Sequence, residues 1–277
     1  MKKRELCGLL DQLGLHPSRR LGQNFLVDEN MLDAMVRAAA PAAGEQVLEI
    51  GPGTGVLTRS LLAAGCRVTA VEIDHRLADY LRRELGGDDG FTLIEGDACK
   101  IDYDRLFAAG VPYRCLANLP YSCGSVFLAG LTILENPPQE AFILLQKEMG
   151  DRLLASPGTK DYGALTVRLA WLYETSLVRQ VPPGVFFPPP EVMSVYLRLT
   201  ARPGRPATAL RRKAARLAMA AFAQRRKKAA GLLERLCGAP AVQQAFAKLG
   251  IPPDARAENL TPNQYLQLAE NLPDALQ

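Results

Sequence analysis

The sequence QVLEIGPGTG, residues 46–55, joins a short apolar run to a glycine-rich loop, after which a helical pattern begins. The run predicts a buried strand, and glycines at its end allow a ligand to approach the backbone closely. Apolar runs and helical patterns alternate from there to residue 148, and the run 141–145 is apolar throughout, as expected of a strand covered on both faces. We therefore predict a parallel, doubly wound, Rossmann-like α/β sheet.

Less regular regions flank this pattern. Before it, Asp28 is predicted to cap a helix, whereas LGQNFLV (21–27) has no helical period and is interpreted as a loop or arm. After it, two candidate strands, 174–181 and 192–200, are separated by PPGVFFPPP (182–190). The five prolines of this segment are expected to prevent regular pairing there and to keep the connection stiff.

The C-terminal part is predicted to form a smaller, all-helical domain. ARPGRPA (201–207) is typical of a linker, and every later segment has a helical pattern. We place the boundary near Pro203, so the predicted domains are residues 1–203 and 204–277.

The composition predicts a soluble protein with a full hydrophobic core, since 48% of its 277 residues are hydrophobic. Asp11 interrupts the apolar stretch near the N-terminus, and no apolar run approaches the roughly 18 residues of a membrane-spanning helix. The six cysteines form no C-x-x-C pair, which indicates free thiols in a reducing compartment, so we expect a cytoplasmic protein. With only His16 and His75, we expect no metal site and no histidine-based nucleophile relay.

Positive charge is concentrated in one segment. Residues 198–235 contain twelve lysines and arginines and one acid, so the segment carries +11, and the remainder of this +4 chain carries −7. A solvated helix is the common explanation of a charge run, but a surplus of this size, rich in arginine, favours a surface that binds RNA or DNA. The candidate RNA-binding residues are Arg225, Arg226, Lys227 and Lys228.

An acid stands at or near the carboxyl end of each of the first three predicted strands, as Glu49, Glu72 and Asp97. Glu72 follows Gly51 by 21 residues, the spacing at which a carboxylate meets ribose hydroxyls. A dinucleotide would bring a pyrophosphate, which prefers a G-x-G-x-x-G turn without acids, and here Val56 occupies the sixth position. The sulfonium and ammonium groups of S-adenosylmethionine suit an acidic crevice, so this is the favoured ligand.

The segment Asn118-Leu119-Pro120-Tyr121 follows the fourth predicted strand, at the same edge of the sheet. The lone pair of an exocyclic base amine is delocalised, so the amine is a poor nucleophile. The Asn118 carboxamide oxygen and a backbone carbonyl of the Leu119-Pro120 bend can accept both amine hydrogens and localise that lone pair. Pro120 fixes the carbonyl's direction, and Tyr121 offers a flat face to an unstacked base. A plain strand-to-helix turn is the alternative, and the position beside a cofactor-type loop argues against it.

These motifs resemble those of the small-subunit ribosomal RNA adenine dimethyltransferases over nearly the whole chain. The matching segments are residues 19–26, 49–53, 96–98, 118–121, 145–148, 181–190, 221–227 and 256–260. The resemblance implies a class I S-adenosylmethionine-dependent methyltransferase domain. It also implies dimethylation of two adjacent adenosines near the 3′ end of small-subunit RNA in the immature subunit, during late ribosome assembly.

The family pattern also implies roles for individual residues. Gln23 and Asn24 would close over the cofactor, Glu72 would hold its ribose and Asp97 its adenine amine. Phe186 would be a second stacking ring, although a ring that plugs the domain seam is an equal alternative. The candidate cofactor-binding residues are Gln23, Asn24, Leu26, Glu49, Gly51, Gly53, Glu72, Asp97 and Asn118. The candidate catalytic residues are Asn118, Leu119, Pro120, Tyr121 and Phe186.

One segment departs from the family, since Ser122-Cys123-Gly124 stands where Asn-Ile-Ser or Thr-Thr-Pro is usual, and Gly124 is expected to loosen the helix start.

Two rival functions remain open. The first is a resistance-type methyltransferase acting on one adenosine of large-subunit RNA, and the long basic C-terminal part favours the small subunit instead. The second is a non-catalytic RNA-binding assembly factor. We expect a monomer, because no repeat or heptad suggests otherwise.

Overall fold

The computed structural model describes residues 1–18, 21–108, 110–120 and 123–274. The chain divides into two compact units. The sheet unit comprises Met1–Phe127, Pro138–Gly150 and Ser176–Thr200. The helical unit comprises Leu128–Pro137, Asp151–Thr175 and Ala201–Gln277. No helix in the described part of the chain combines the length and apolar character needed to span a bilayer.

The seven strands of the main sheet lie close to their predicted positions, and two further short strands are not among those predicted. In chain order, the strands are β1 (Phe25–Leu26), β2 (Gln46–Ile50), β3 (Arg67–Glu72), β4 (Phe91–Glu95), β5 (Arg114–Asn118), β6 (Glu140–Gln146), β7 (Tyr173–Val181), β8 (Phe186–Phe187) and β9 (Ser194–Ala201). Seven of them form one sheet in the order β4-β3-β2-β5-β6-β9-β7. The strands β2 to β6 run parallel, whereas β9 pairs with β6 antiparallel, so the sheet is mixed at this side.

Parallel pairing places the ends of β2, β3, β4 and β5 at one edge of the sheet. The pairs Ile50 with Val71 and Ile50 with Ala117 bring the residues that follow these strands side by side. The central strands are buried on both faces, as the apolar run of β6 predicts, because helices cover the sheet. Ligands of such sheets bind at this carboxyl edge.

The helices alternate with the strands in the sheet unit and dominate the rest of the chain. They are α1 (Lys3–Gln12), α2 (Glu29–Ala39), α3 (Val56–Ala63), α4 (His75–Leu85), α5 (Gly124–Leu131), α6 (Lys147–Leu154), α7 (Ala164–Ala170), α8 (Thr208–Phe222), α9 (Ala229–Cys237), α10 (Ala239–Lys248) and α11 (Pro262–Asn271). The predicted cap of α2 is confirmed, because Asp28 Oδ1 accepts a hydrogen bond from Met31 N at 2.7 Å. Gly124 is the first residue of α5. At this position glycine costs less helix stability than it would in the helix interior.

A short two-stranded ladder corrects two of the sequence interpretations. Segment 21–27 is not entirely a loop, and the proline-rich segment does pair: β1 and β8 run antiparallel, with Phe25 opposite Phe187 and Leu26 opposite Phe186. The physical reason is that proline removes a donor only at its own position. Phe186 and Phe187 retain their amide groups, and two residues suffice for this ladder.

The helical unit has its own hydrophobic core and includes more of the chain than the predicted C-terminal domain. The unit's last segment begins at Ala201, near the predicted boundary at Pro203. However, Tyr162, Val167 and Trp171 are buried in the same cluster as α8 to α11, so a single cut at Pro203 does not match the compact units. The linear order of the chain cannot show that segment 151–175 buries its apolar face against helices that follow much later.

Candidate active site

The glycine loop after β2 is packed directly against the elbow that follows β5. Gly51 has φ +66°, a conformation that favours glycine. A Cβ at this position would lie 3.1 Å from Cγ of Pro120. Gly53 has φ +58°, and a Cβ there would lie 3.2 Å from the Phe25 ring. Two of the predicted glycines are therefore required by both backbone conformation and space.

Glu72 ends β3 beside this loop and is 4% exposed. Its Oε2 accepts a hydrogen bond from Gly53 N at 3.1 Å, and its Oε1 accepts one from Asp74 N at 2.9 Å. Burial raises the pKa of Glu72 to about 7, against the opposing effect of these backbone hydrogen bonds. The carboxylate is thus rigidly held and titrates near neutrality.

Glu49 is a buried carboxyl and not the charged acid that the sequence predicts at this edge of the sheet. It is 2% exposed, and its Oε2 accepts a hydrogen bond from Thr58 Oγ1 at 2.7 Å. Burial raises the pKa of Glu49 to about 8, although the Thr58 hydroxyl lowers it, so the carboxyl is largely neutral at pH 7. Glu49 lines the cleft as a buried carboxyl, so it does not fit the expectation of a charged acid at this edge.

Asp97 lies in a second cavity, next to the main cleft. Its Oδ1 accepts a hydrogen bond from Cys99 N at 2.9 Å, and its Oδ2 lies 3.5 Å from Lys100 Nζ. This cavity shares Gly51, Glu72 and Pro120 with the main cleft. The predicted cofactor residues are thus distributed over two adjoining cavities.

The elbow after β5, residues 118–120, has two carbonyl-type acceptors available. The Asn118 Nδ2 donates to Asn24 O at 3.1 Å, which fixes the orientation of the carboxamide. The Pro120 carbonyl accepts hydrogen bonds from Cys123 N at 3.1 Å and Gly124 N at 3.2 Å. Asn118 Oδ1 and the Leu119 carbonyl make no hydrogen bond within the described part of the chain. Tyr121, with Ser122, lies outside the described residues.

The N-terminal arm forms another wall of the cleft. Gln23 Oε1 accepts a hydrogen bond from Ser18 N at 2.8 Å, and Gln23 Nε2 donates to Asp74 Oδ2 at 3.2 Å. Arg19 and Arg20, which belong to the same motif, are outside the described residues. The structure brings most predicted residues to one cleft, whose lining includes Gln23, Asn24, Leu26, Glu49, Gly51, Gly53, Glu72, Asn118, Leu119 and Pro120.

Phe186 is a predicted catalytic residue that the structure does not bring to this cleft. Its side chain is 3% exposed and belongs to the apolar core of the sheet unit with Met31 and Met35. The ring of the neighbouring Phe187 is partly exposed, with Lys3 Nζ 5.1 Å from its centroid. The structure therefore shows Phe186 as a core side chain and not as a ring presented to a base.

Two residues of the site are missing from the sequence prediction. Ile73 is 47% exposed and lines both cavities, so it offers an apolar face beside Glu72. Asp74 bonds to the arm and to Glu72, and the signal that points to it is the spacing Glu-x-Asp at the end of β3. Within the described ranges, no group of three or more metal-ligating side chains is arranged to hold an ion.

The basic segment is less available than its charge predicts. Arg211 is 3% exposed and donates to the carbonyls of Thr132 at 2.6 Å and Leu134 at 2.8 Å. Arg225, a candidate RNA-binding residue, lies 3.1 Å from Glu258 through Nη2 and Oε2. Five exposed cations of the segment make no ion pair or side-chain hydrogen bond among described residues, namely Arg216, Arg226, Lys227, Lys228 and Arg235.

Comparison with known proteins identifies the family. A family model described as ribosomal RNA adenine dimethylase matches residues 15–274. The chain belongs to the ribosomal RNA adenine dimethylase family. It is 42% identical over 264 residues to the ribosomal RNA small subunit methyltransferase A of Magnetococcus marinus, covering 94% of both chains. The corresponding protein of Anaeromyxobacter sp. (strain K) is 40% identical over 275 residues, covering 95% of this chain and 96% of the relative.

Solved structures agree with this family membership. A dimethyladenosine transferase from Plasmodium falciparum is 25% identical, with a TM-score of 0.73, covering 88% of this chain and 95% of the other. The 23S rRNA methyltransferase ErmE is 27% identical, with a TM-score of 0.63, covering 90% of this chain and 99% of the other. The predicted class I methyltransferase fold is thus confirmed, and the chain is a ribosomal RNA adenine dimethyltransferase.

Proposed function

We propose that this chain transfers methyl groups from S-adenosylmethionine to the exocyclic amines of two adjacent adenosines near the 3′ end of small-subunit ribosomal RNA. The product is dimethyladenosine, formed in the immature subunit during late ribosome biogenesis. The observation that carries this proposal is the pair of acceptors at the elbow, Asn118 Oδ1 and the Leu119 carbonyl, beside a glycine loop with a buried carboxylate. The curated relatives near 40% identity are named as small-subunit enzymes, which supports the choice of subunit.

The residues of the cleft fit the methyl donor better than a pyrophosphate ligand. Its described lining includes Glu72 and contains no lysine or arginine. When bound, S-adenosylmethionine supplies an electrophilic methyl group on a positively charged sulfur. Glu72 would accept hydrogen bonds from the ribose hydroxyls, Asp97 would accept one from the adenine amine, and Ile73 would pack against the base. Gln23, Asn24 and Leu26 would cover the ligand.

The elbow would prepare the target amine for attack. Two hydrogen bonds, one to Asn118 Oδ1 and one to the Leu119 carbonyl, would hold both amine hydrogens and turn the nitrogen lone pair out of conjugation. The Pro120 carbonyl is already occupied by backbone donors, so it is excluded as the second acceptor. After methylation, the ammonium is acidic enough to release its proton to water. No side-chain base is needed in this scheme, and Tyr121 would stack on the extruded base.

The helical unit is proposed to hold the RNA through its exposed cations. Arg226, Lys227 and Lys228 would contact phosphates, and the exposed Arg216 and Arg235 would extend this set. Arg225 would contribute less, since Glu258 neutralises it. We further propose that the enzyme acts in the cytoplasm as a monomer, with a methyltransferase domain and a helical RNA-binding domain.

The proposal is tested by methyl transfer to small subunits and, in a parallel reaction, to large subunits, both purified from cells that lack the gene, followed by mass analysis of nuclease fragments of each RNA. Paired dimethyladenosine in small-subunit RNA is the expected result. Methylation of one adenosine in large-subunit RNA instead would support the resistance-type rival. Calorimetry separates the non-catalytic rival, because a scaffold without activity should bind S-adenosylmethionine weakly or not at all.

A further inference from the structure

Asp74 connects three parts of the active site without lining the cleft itself. Its Oδ2 accepts a hydrogen bond from Gln23 Nε2 at 3.2 Å, its Oδ1 accepts one from Arg76 N at 3.0 Å, and its backbone N donates to Glu72 Oε1 at 2.9 Å. The second bond caps helix α4. The two carboxylate oxygens therefore have different tasks, one in the helix and one in the arm.

The arm held by Asp74 also fixes the catalytic carboxamide. Gln23 is followed directly by Asn24, whose carbonyl accepts the hydrogen bond from Asn118 Nδ2 at 3.1 Å. This bond places nitrogen toward the arm and leaves Oδ1 for the amine of the substrate. A carboxamide rotated by 180° would present a donor to the amine hydrogens and could not accept them. The position of the Asn24 carbonyl thus decides the useful orientation of Asn118.

We propose that Asp74 is a positioning residue for methyl transfer, an inference that rests on the proposed function of the elbow. Through Gln23, its carboxylate holds the arm so that the Asn24 carbonyl keeps the Asn118 carboxamide in its productive orientation. The arm has anchors besides the bond between Asp74 and Gln23, because β1 pairs with β8 and the Ser18 hydroxyl accepts a hydrogen bond from Leu21 N at 3.3 Å. Loss of the hydrogen bond between Asp74 and Gln23 is expected to reduce methyl transfer with little effect on stability.

A reciprocal swap separates this role from the helix cap. Asp74→Asn retains an oxygen to cap α4, but places an amide donor against Gln23 Nε2. Gln23→Glu places a second carboxylate against Asp74. In the double variant the new asparagine donates to the new glutamate, whose other oxygen can still accept from Ser18 N. Every hydrogen bond is then restored, and only the bond between residues 23 and 74 has its polarity reversed. Asp79→Asn, on the exposed face of α4, is the matched control.

The measurement is kcat/KM for methyl transfer to immature small subunits, together with the melting temperature of each variant. Each single substitution is expected to lower kcat/KM by roughly tenfold, as when a hydrogen-bonded pair is replaced by two like groups. Because Gln23 is also proposed to cover the cofactor, the double variant is not expected to regain full activity, but its loss should be smaller than that of either single variant. The melting temperature of Asp74→Asn is expected to stay near that of Asp79→Asn.

Additive losses in the double variant, or full activity of Asp74→Asn, would overturn the positioning role of Asp74. A loss of activity that follows the melting temperature in all variants would overturn it as well, since it would indicate a structural effect alone. An inactive wild-type enzyme would reject the proposed function, and with it this inference. The two failures are therefore distinguishable by the wild-type measurement.

Discussion

The cleft of the sheet unit and the basic segment of the helical unit use charged side chains in opposite ways. In the cleft, Glu72 is buried and held by backbone amides, yet faces a space that a ligand can enter. In the helical unit, the buried Arg211 donates to backbone carbonyls and faces no ligand, and burial lowers its pKa. Backbone groups can therefore hold a charged side chain in place for a ligand, or they can use all of its hydrogen-bonding groups within the fold. Substitutions in the cleft should change activity or ligand binding, and substitutions of side chains bonded within the fold should change stability.

The largest effect is expected from Asn118→Ala. The substitution removes one of the two acceptors for the amine hydrogens and leaves the cofactor acids in place. We expect kcat to fall by about 10² to 10³, a loss comparable to that of one preorganised polar group in other active sites. Affinity for S-adenosylmethionine, measured by calorimetry, should change little. Ser125→Ala, on the exposed side of α5, is the control, and full activity of Asn118→Ala would refute the assigned role.

A second large effect is expected where the glycine loop touches the elbow. Gly51→Ala combines a positive φ with a Cβ 3.1 Å from Pro120, whereas Gly44→Ala has a positive φ, +80°, and open space around the Cβ. Both variants should lose about 1 kcal/mol or more of stability from backbone strain. Only Gly51→Ala should also lose methyl transfer and cofactor affinity. Equal behaviour of the two variants in calorimetry and activity assays would show that the close packing of Gly51 on Pro120 has no functional role.

A moderate effect is expected from the exposed cations. The double substitution of Arg226 and Lys227 by alanine should weaken RNA binding and reduce the slope of log K against log salt by roughly 0.7 to 0.9 for each phosphate that is no longer neutralised. Arg212→Ala is the comparison, because Arg212 is exposed but lies 3.5 Å from Glu135. Titrations of immature subunits at several salt concentrations would measure both. An equal effect of Arg212→Ala would contradict the division into free and occupied cations.

The last effect concerns stability and its dependence on pH, and not activity. The pKa of Glu49 rises from an ordinary 4.5 to about 8 on folding, because its carboxyl is buried. The unfolded chain therefore loses this proton first, so stability from the neutral carboxyl is present below about pH 4.5 and is lost as pH rises toward 8. Denaturant unfolding should show wild type losing stability relative to Glu49→Gln over this range. A constant difference between the two proteins from pH 5 to 8 would exclude a buried, protonated Glu49.

The fold and the cleft are largely predictable from the sequence because both follow from short-range patterns. Apolar runs locate β2 to β6, and parallel pairing then brings Gly51, Glu72 and Asn118 to one edge. What the sequence does not predict depends on packing between distant segments. Examples are the burial of Glu49 against Thr58, the core position of Phe186, and the contribution of segment 151–175 to the helical unit.

Charge is the property for which the sequence is least informative. A count of lysines and arginines does not distinguish Arg211, which is buried against carbonyls, from Arg226, which is exposed. The sequence is also uninformative at the elbow, because the motif does not show which backbone carbonyl would accept the second amine hydrogen. The backbone bonds of the Pro120 carbonyl are the reason why the proposed mechanism assigns the second acceptor to Leu119.

The decisive measurement is a structure of the enzyme with a hairpin of its RNA substrate and S-adenosylhomocysteine. We expect N6 of the extruded adenosine to lie within hydrogen-bonding distance, about 3 Å, of both Asn118 Oδ1 and the Leu119 carbonyl oxygen. We also expect Asn118 Nδ2 to remain bonded to the Asn24 carbonyl. A target amine directed away from either acceptor, or a carboxamide that presents its nitrogen to the base, would contradict this mechanism.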